Sequence, residues 1–356
     1  MIFMKKYYKL IVGLFVIALL HSCKHDDSVS DVYELNLPAH FSEMPIPADN
    51  PLTKSGVALG RKLFYDPILS GDSTQSCSSC HNIEFGMTDH GKQFSKGIDS
   101  LDGNRNAMTL VNLGYDRSFF WDGRASSLEQ QVLMPIQNPI EMHETLPNVV
   151  RKLNANSAYV SLFKNAFNTT DITSQHVAKA LAQFMRALVS YESYFDKNYN
   201  TTDKILAAVN NPQNSIERGM LIFFGKGECF HCHGNYGNYL FTDFDLHNNG
   251  LDSIPTDIGY EAVTANVMDR ARFKTPTLRN LAFTAPYMHD GRFPTLDMVF
   301  GHYFGGVKNS TTLDPNMELL KRGVPMSATD FVDLKAFLLS LSDSTYLYKE
   351  EFQNPN

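Results

Sequence analysis

The sequence predicts a mainly helical protein made of two similarly built domains. Three features support this prediction: a length of 356 residues, a cysteine–histidine motif that occurs twice, and a long helical pattern between the two copies. The length suits about two domains of ~100–200 residues each. The 43% of hydrophobic residues can form a sizeable core. The net charge of −7 argues against a nucleic-acid-binding protein, which usually carries a basic face.

The first segment of the chain has the pattern of an export signal. Residues 1–22 combine early lysines with an apolar run, Ile11 to Leu20, that is too short to span a bilayer. The run ends in Leu-His-Ser-Cys, which resembles a bacterial lipobox with an unusual histidine. We therefore predict a signal peptide over residues 1–22, a lipid on Cys23, and a lipid-anchored tether over residues 23–47. The alternative is an ordinary signal peptide, with Cys23 a bystander thiol.

Two copies of the motif C-x-x-C-H use all the remaining cysteines. At this spacing two thiols add to the two vinyl groups of one haem, and the adjacent imidazole reaches the iron. A four-cysteine zinc site would not need a histidine after each pair, and disulfides within the pairs would constrain little chain. The motifs predict two covalently bound haem c groups. Their attachment residues are Cys77, Cys80, Cys229 and Cys232, and their iron ligands are His81 and His233.

Helical patterns surround both motifs. A short amphipathic pattern precedes each one, at Gly60–Phe64 and Gly219–Phe223, which indicates an internal repeat. A longer helix is predicted from about Ser174 to Phe195, where apolar residues recur at intervals of three and four. Its apolar positions are Val177, Leu181, Phe184, Leu188 and Tyr191. Polar residues from Asn198 to Asn214 then predict a boundary. The expected architecture is two cytochrome c-like domains, at residues 48–200 and 201–347.

Five further stretches carry a family resemblance. They are RNAMTLVNLG from Arg105, FFWDGRASSLEQQ from Phe119, NPIEM from Asn138, FKTPTLRN from Phe273 and APYMHDGRFPTL from Ala285. In this order around the two motifs, they resemble the bacterial di-haem cytochrome c peroxidase and MauG family from about residue 45 to residue 341. The resemblance implies an oxidoreductase of the cytochrome-c peroxidase type.

The resemblance also implies roles around the N-terminal haem, the one on His81. Glu141 would serve there as general base and then general acid while the O–O bond of peroxide breaks. Gln131 would lie close by, and Pro135 would form part of the pocket wall. Trp121 resembles the tryptophan that passes electrons between the two haems. The alternatives are a solvated carboxylate for Glu141 and a packing aromatic for Trp121.

A calcium ion is a further implication of the resemblance. Asn106, Thr284 and Pro286 match positions that hold Ca²⁺ between the domains through side-chain and carbonyl oxygens. Oxygen ligands of this kind suit a hard cation. The predicted cofactors are therefore two covalently bound haem c groups and one Ca²⁺.

The sixth ligand of the C-terminal haem decides the sub-type within the family. Members with a high-potential haem use a methionine fourteen residues after the histidine of the HDG motif. Counting from His289 reaches Tyr303, which resembles the MauG type. A phenolate favours higher oxidation states of iron, whereas a thioether favours Fe(II). Met298 and Met288 remain alternatives, and Tyr303 as a simple core tyrosine is another.

The N-terminal haem is predicted to be five-coordinate at rest. Many peroxidases of the family block this haem with a loop histidine, but the corresponding loop here, Phe94–Asn104, contains none. His90 lies just outside that loop and stays open as a ligand. An open site would accept peroxide without reductive activation.

Three functions follow from these features. The first is a di-haem peroxidase that reduces hydrogen peroxide to water, with electrons passed from the C-terminal to the N-terminal haem. Its donor would be a small redox protein, a cytochrome c or cupredoxin. The second is a MauG-like oxidase that uses a high-valent state to oxidise a protein or small-molecule partner. The third is a non-enzymatic electron carrier, which would not need Glu141 or Gln131.

The expected location is the periplasmic side of a bacterial cell envelope, where the lipid anchors the protein to the membrane. The sequence leaves open whether the protein forms a homodimer.

Overall fold

The computed structural model describes residues 31–89 and 91–355. The predicted signal peptide, Cys23 and His90 lie outside the described residues. The described residues from Tyr33 onward form one compact unit. Among the described residues, no helix has the length and apolarity needed to cross a membrane.

The fold is mainly helical, which confirms the predicted class. The helices of the described residues are α1 Lys54–Tyr65, α2 Leu128–Gln131, α3 Leu133–Gln137, α4 Leu146–Asn154, α5 Ser157–Phe167, α6 Ser174–Ala187, α7 Tyr194–Asn198, α8 Thr202–Asn210, α9 Ser215–Phe224, α10 Phe230–His233, α11 Glu261–Thr264, α12 Leu296–Gly301, α13 Glu318–Lys321 and α14 Ala328–Ser340. Two short strands, β1 Leu246–His247 and β2 Phe273–Lys274, pair antiparallel.

A close helix crossing occurs once in each half of the chain. Helix α1 crosses α6 at Gly60, where an added Cβ would lie 2.0 Å from the main-chain oxygen of Ala180. Helix α9 crosses α14 at Gly219, where an added Cβ would lie 2.1 Å from the main-chain oxygen of Asp333. Only glycine permits such an approach. The predicted helices before each motif are present, and the matching crossings show an internal repeat.

Each crossing is the centre of its own hydrophobic cluster. The first cluster is built on residues such as Phe64 and Phe184, both fully buried, and the second on Phe223 and Phe337. These are equivalent positions on the crossing helices. The C-terminal segment, through Tyr346, returns to pack in the first cluster. The two cavities described below lie next to these clusters.

The predicted helix from Ser174 to Phe195 is too long by eight residues, since α6 ends at Ala187. Beyond it, the main-chain amides bond to side chains from elsewhere in the chain instead of continuing the helix. The amide of Ser190 donates to Asn112 Oδ1 at 3.0 Å, and the amide of Glu192 donates to Asp343 Oδ2 at 3.0 Å. Leu188 is buried and Tyr191 is half-buried, so the apolar periodicity continues where the helix does not.

Two predicted linker segments carry packed structure. Within the predicted tether, Phe41 and Met44 are buried in the second cluster, so the described part of that segment is attached to the fold. Within the predicted boundary after residue 198, helix α8 buries Ile205. Both segments are polar overall, so these few buried apolar residues were not recognised from the sequence. The division into domains at residue 200 stays a prediction.

Candidate functional site

The first C-x-x-C-H motif lines a cavity in the N-terminal half. The cavity comprises about 1390 Å³ of empty space, part of which is open to solvent, and Cys77, Cys80 and His81 all reach its wall. Nδ1 of His81 donates a hydrogen bond to the main-chain oxygen of Met87 at 3.0 Å. This bond fixes the tautomer with the proton on Nδ1, so Nε2 is the ring nitrogen whose lone pair can bind a metal. Burial lowers the pKa of His81, which keeps the ring neutral, as a metal ligand must be.

The second motif lines a similar cavity in the C-terminal half. Both of its cysteines and His233 line about 1560 Å³ of empty space, part of which is open to solvent. Nδ1 of His233 donates to the main-chain oxygen of Phe241 at 2.9 Å, and burial lowers the pKa of His233 as well. The extra histidine of this motif, His231, instead bonds Glu228 at 2.7 Å. It takes no part in the cavity wall.

The residues of both cavities fit a covalent haem c. Each cavity is lined largely by apolar side chains and presents two thiols and one neutral imidazole with a free nitrogen. The two carbonyl residues that hold the imidazoles, Met87 and Phe241, share a left-handed backbone with φ of 62° and 53°. The repeat thus extends to the orientation of the predicted iron ligand.

Trp121 lies in the wall of both cavities. Its Nε1 donates to the main-chain oxygen of Asn106 at 2.9 Å, which fixes the ring. Two further main-chain bonds join the halves here: Lys274 donates to Trp121 at 2.7 Å, and Asn106 donates to His289 at 2.8 Å. Trp121 and His289 occupy the same place in the two D-G-R loops, so these bonds are reciprocal. The predicted relay residue therefore separates the two predicted haem sites.

The residues predicted around the N-terminal haem come together in the first cavity. Glu141, Gln131 and Pro135 all line it. Asn138 Nδ2 donates to Glu141 Oε1 at 2.6 Å. Burial raises the pKa of Glu141, opposed by that hydrogen bond and by the charge of Arg124. Gln131 Oε1 is buried and has no hydrogen-bond partner among the described residues. A carboxyl group with a raised pKa and an unsatisfied acceptor thus share this cavity.

The second cavity contains two of the three candidate sixth ligands. Tyr303 and Met288 line it, whereas Met298 is 46% exposed and lies outside it. Tyr303 belongs to a π-helical turn, His302–Gly306, that follows α12. Turns of this kind are frequent at functional sites. Asn249 Nδ2 donates to the hydroxyl of Tyr303 at 3.3 Å.

The three predicted calcium ligands also reach one cavity wall. Asn106, Thr284 and Pro286 line the second cavity. The side-chain amide nitrogen of Asn106, Nδ2, donates to the main-chain oxygens of Lys92 and Gln93, each at 3.1 Å. If this side-chain amide is flipped by 180°, its oxygen takes the place of the nitrogen, next to those two main-chain oxygens. Ca²⁺ requires a set of oxygen ligands of this kind. The donor set suits the ion, and calcium binding stays a prediction.

Two residues at the cavities were not singled out from the sequence. Lys274 is 3% exposed, lines both cavities and forms an ion pair with Asp116. Its place inside the stretch FKTPTLRN was a usable signal. Asn249, which bonds Tyr303, stands in the run Asn-Asn-Gly, which is typical of any turn. Only the fold brings it to the cavity.

Comparisons with known proteins point to one family. A model of the di-haem cytochrome c peroxidase family matches residues 54–204. The methylamine utilization protein MauG of Methylorubrum extorquens is 38% identical over 84% of this chain and 81% of its own. The cytochrome c551 peroxidase of Nitrosomonas europaea is 38% identical over 71% of this chain and 74% of its own.

Solved structures show the same fold. The crystal structure of a MauG-like protein associated with microbial copper homeostasis has a TM-score of 0.80 and 30% identity, and the match covers 91% of this chain and 99% of the other. The diheme peroxidase BthA of Burkholderia thailandensis has a TM-score of 0.70 at 22% identity, and that match covers 84% of this chain and 88% of the other.

This chain belongs to the di-haem cytochrome c peroxidase family. It is an oxidoreductase of the cytochrome c peroxidase type and carries two haem c groups. The resemblance drawn from the sequence motifs is therefore confirmed. The roles of individual residues, the calcium ion and the lipid anchor remain predictions.

Proposed function

We propose that this protein reduces hydrogen peroxide to water in the first cavity. Electrons enter through the second cavity from a small redox protein, a cytochrome c or cupredoxin. The observation that carries the proposal is that the half-buried carboxyl group of Glu141 and the unsatisfied acceptor of Gln131 both line the cavity of the first motif. An electron carrier has no use for either group.

The reaction consumes two electrons and two protons for each peroxide, and two waters leave. When bound by His81, the haem iron supplies the redox chemistry of this step. Glu141 takes a proton from one peroxide oxygen and returns it to the other, acting first as base and then as acid. Because burial raises its pKa, Glu141 holds the proton more readily than a solvent-exposed glutamate would.

Two other side chains support this proton transfer. The free Oε1 of Gln131 accepts a hydrogen bond from the substrate, which would hold the peroxide near Glu141. Trp121, in the wall shared by both cavities, lies on the route that electrons take from the second haem to the first. Each role uses an atom or a surface that other groups of the described chain leave available.

A MauG-like oxidase is the second candidate, and Tyr303 favours it. A tyrosine in the second cavity suits oxidised iron better than a methionine does, so this haem would store an oxidising equivalent. Oxidation of a protein or small-molecule partner would then replace donor-driven turnover. Slow peroxide turnover with a long-lived oxidised protein would favour this candidate.

Replacing the proposed proton carrier tests the function. We expect Glu141→Gln to lower peroxide turnover with reduced cytochrome c at least about 100-fold, since proton transfer by a positioned side chain contributes 10²–10⁴-fold. Both haems should stay attached, which the absorbance of the denatured protein measures.

The matched control is Glu84→Gln, which removes an exposed carboxylate from the same half of the chain. It should turn over peroxide at the wild-type rate. Unchanged turnover in Glu141→Gln would contradict the assignment of Glu141.

The location and the open haem site are further parts of the proposal. We place the protein on the periplasmic side of a bacterial envelope, held by a lipid on Cys23. A mass spectrum of the mature N-terminus would show the acyl groups.

We also propose that the N-terminal haem is five-coordinate at rest. Electron paramagnetic resonance of the oxidised protein would show a high-spin signal, whereas a wholly low-spin spectrum would contradict this.

The calcium site can be tested by removing the ion. We propose that Ca²⁺ is held by the side chain of Asn106 with the main-chain oxygens of Thr284 and Pro286. Chelation should lower turnover and re-addition should restore it, because the ion would fix the segments at the wall between the two cavities. A fully active protein that contains no calcium by elemental analysis would contradict the site.

A further inference from the structure

One amide group contacts both candidate ligands in the second cavity. Asn249 Nδ2 donates to the hydroxyl oxygen of Tyr303 at 3.3 Å and to the sulfur of Met288 at 3.6 Å. An amide nitrogen has two N–H bonds, so both contacts form at once. Met298 is 46% exposed and does not line this cavity. Asn249 is therefore placed to influence which side chain reaches the iron held by His233.

The main chain on both sides of Asn249 is held firmly. The side chain of Asn248 donates to Ser310 at 3.0 Å and to Thr312 at 2.9 Å. The main-chain oxygen of Gly250 accepts from the amide of Lys308 at 2.7 Å. Gly250 itself has a φ of 69°, and an added Cβ would lie 2.8 Å from the main-chain oxygen of Lys308. The amide group of Asn249 is thus presented by a fixed segment.

The same segment is joined to the turn that carries Tyr303. Nε2 of His302 donates to the main-chain oxygen of Asn249 at 3.1 Å, and the His302 side chain is buried. The main chain of Asn249 therefore binds one residue of the π-helical turn while its side chain binds the next. This double attachment fixes the position of the amide relative to the phenol ring.

The two contacts have opposite effects on the two candidate ligands. A hydrogen bond donated to a phenol oxygen stabilises its anion, which is the form that binds iron. A hydrogen bond donated to a thioether engages a sulfur lone pair and holds the side chain where it is. We propose that Asn249 is a positioning residue that selects Tyr303 over Met288 as the sixth ligand of the C-terminal haem. This inference rests on the proposed assignment of Tyr303.

Removing the donor should exchange the ligand. In the oxidised wild type we expect a tyrosinate–Fe(III) signature in resonance Raman spectra and no Met–Fe(III) charge-transfer band. In Asn249→Leu we expect loss of the first signature, appearance of the second, and a rise in the midpoint potential of this haem. Asn249→Asp keeps the shape of the side chain but removes its N–H donors, so we expect the same spectral changes. This variant tests the inference if Asn249→Leu does not fold.

Two pairs of variants serve as controls. Adding Met288→Leu to Asn249→Leu should abolish the charge-transfer band, whereas adding Met298→Leu should leave it, because Met298 lies outside the cavity. Asn309→Leu removes an exposed asparagine and should keep the wild-type spectrum.

The inference is overturned if both Asn249 variants keep the tyrosinate signature and the wild-type potential. It is also overturned if they lose that signature without gaining the methionine band. A wild type that already shows a methionine band, lost in Met288→Leu, would refute Tyr303 as ligand and this inference with it. Peroxide reduction would stand apart from all these outcomes, since the Glu141 variant tests it separately.

Discussion

At the scale of single residues, Trp121 is the aromatic side chain that both cavities share. We expect Trp121→Phe to slow electron passage between the haems about tenfold, which corresponds to a barrier higher by ~1.4 kcal/mol. The smaller ring loses contact with the cavity walls and loses the hydrogen bond to Asn106. Rapid mixing of the reduced protein with peroxide measures this rate.

A control variant separates this effect from a general loss of structure. Tyr348→Phe alters an aromatic residue that is 79% exposed and should leave the rate unchanged. Equal rates in Trp121→Phe and the wild type, with both haems attached, would rule out the relay.

A buried ion pair supports the second cluster. Asp196 accepts two hydrogen bonds from Arg279, at 2.8 and 2.6 Å, and both side chains are almost fully buried. Asp196→Asn would leave the guanidinium without its counter-charge, so we expect a loss of about 3–5 kcal/mol in the free energy of unfolding. Urea denaturation measures it. Asp203→Asn, at an exposed position, should change stability little.

The same pair predicts how stability depends on pH. Burial alone would raise the pKa of Asp196, but the pairing with Arg279 holds it well below its usual range. A carboxyl with a depressed folded-state pKa stabilises the fold above its unfolded pKa of about 4 and loses that effect as pH falls. The stability gap between wild type and Asp196→Asn should therefore narrow on acidification below pH ~4. A gap that widens there would contradict this.

The chemistry-bearing residues of the site were readable from the sequence to different extents. Two thiols and a following histidine are a dense local signal, so both motifs were found directly. Glu141 and Tyr303 became candidates only through the resemblance, since a lone carboxylate or phenol has no local signature. Asn249 was missed because its importance comes from a contact 54 positions along the chain.

At the scale of helices, the two close crossings invite a matched test. An added methyl at Gly60 would clash with the main chain of α6, and one at Gly219 would clash with α14. We expect Gly60→Ala and Gly219→Ala each to destabilise the protein by roughly 1–3 kcal/mol or more through overpacking. Thermal unfolding measures both.

Gly301→Ala is the control for these substitutions. Gly301 lies in α12, and a Cβ added there would have no neighbouring atom within 4 Å. Alanine at this position should therefore leave the free energy of unfolding unchanged or raise it slightly. A Gly60→Ala protein as stable as Gly301→Ala would show that the two helices do not need the close approach.

The helices themselves show what an apolar pattern can and cannot predict. The short patterns before the motifs correspond to α1 and α9 because they contain both the buried stripe and the crossing glycine. The stripe from Ser174 continued past the end of α6, because residues after Ala187 are buried in another conformation. Their amides bond to Asn112 and Asp343, distant residues that a local pattern does not register.

At the scale of the whole molecule, the fold is one arrangement used twice with different cavity walls. The first cavity places Glu141 and Gln131 near its histidine motif, and the second places Tyr303 and Met288 near its own. Equivalent positions have thus diverged: Trp121 in one D-G-R loop corresponds to His289 in the other. A repeated scaffold with unlike walls suits two haems with different tasks.

The measurement that tests the central proposal most directly is steady-state peroxide consumption by the wild-type protein with a reduced cytochrome c donor. Because the reaction needs two electrons for each peroxide, we expect sustained turnover with two donor molecules oxidised per peroxide consumed. Peroxide loss without donor oxidation, or a single slow turnover that ends in a long-lived oxidised protein, would contradict it.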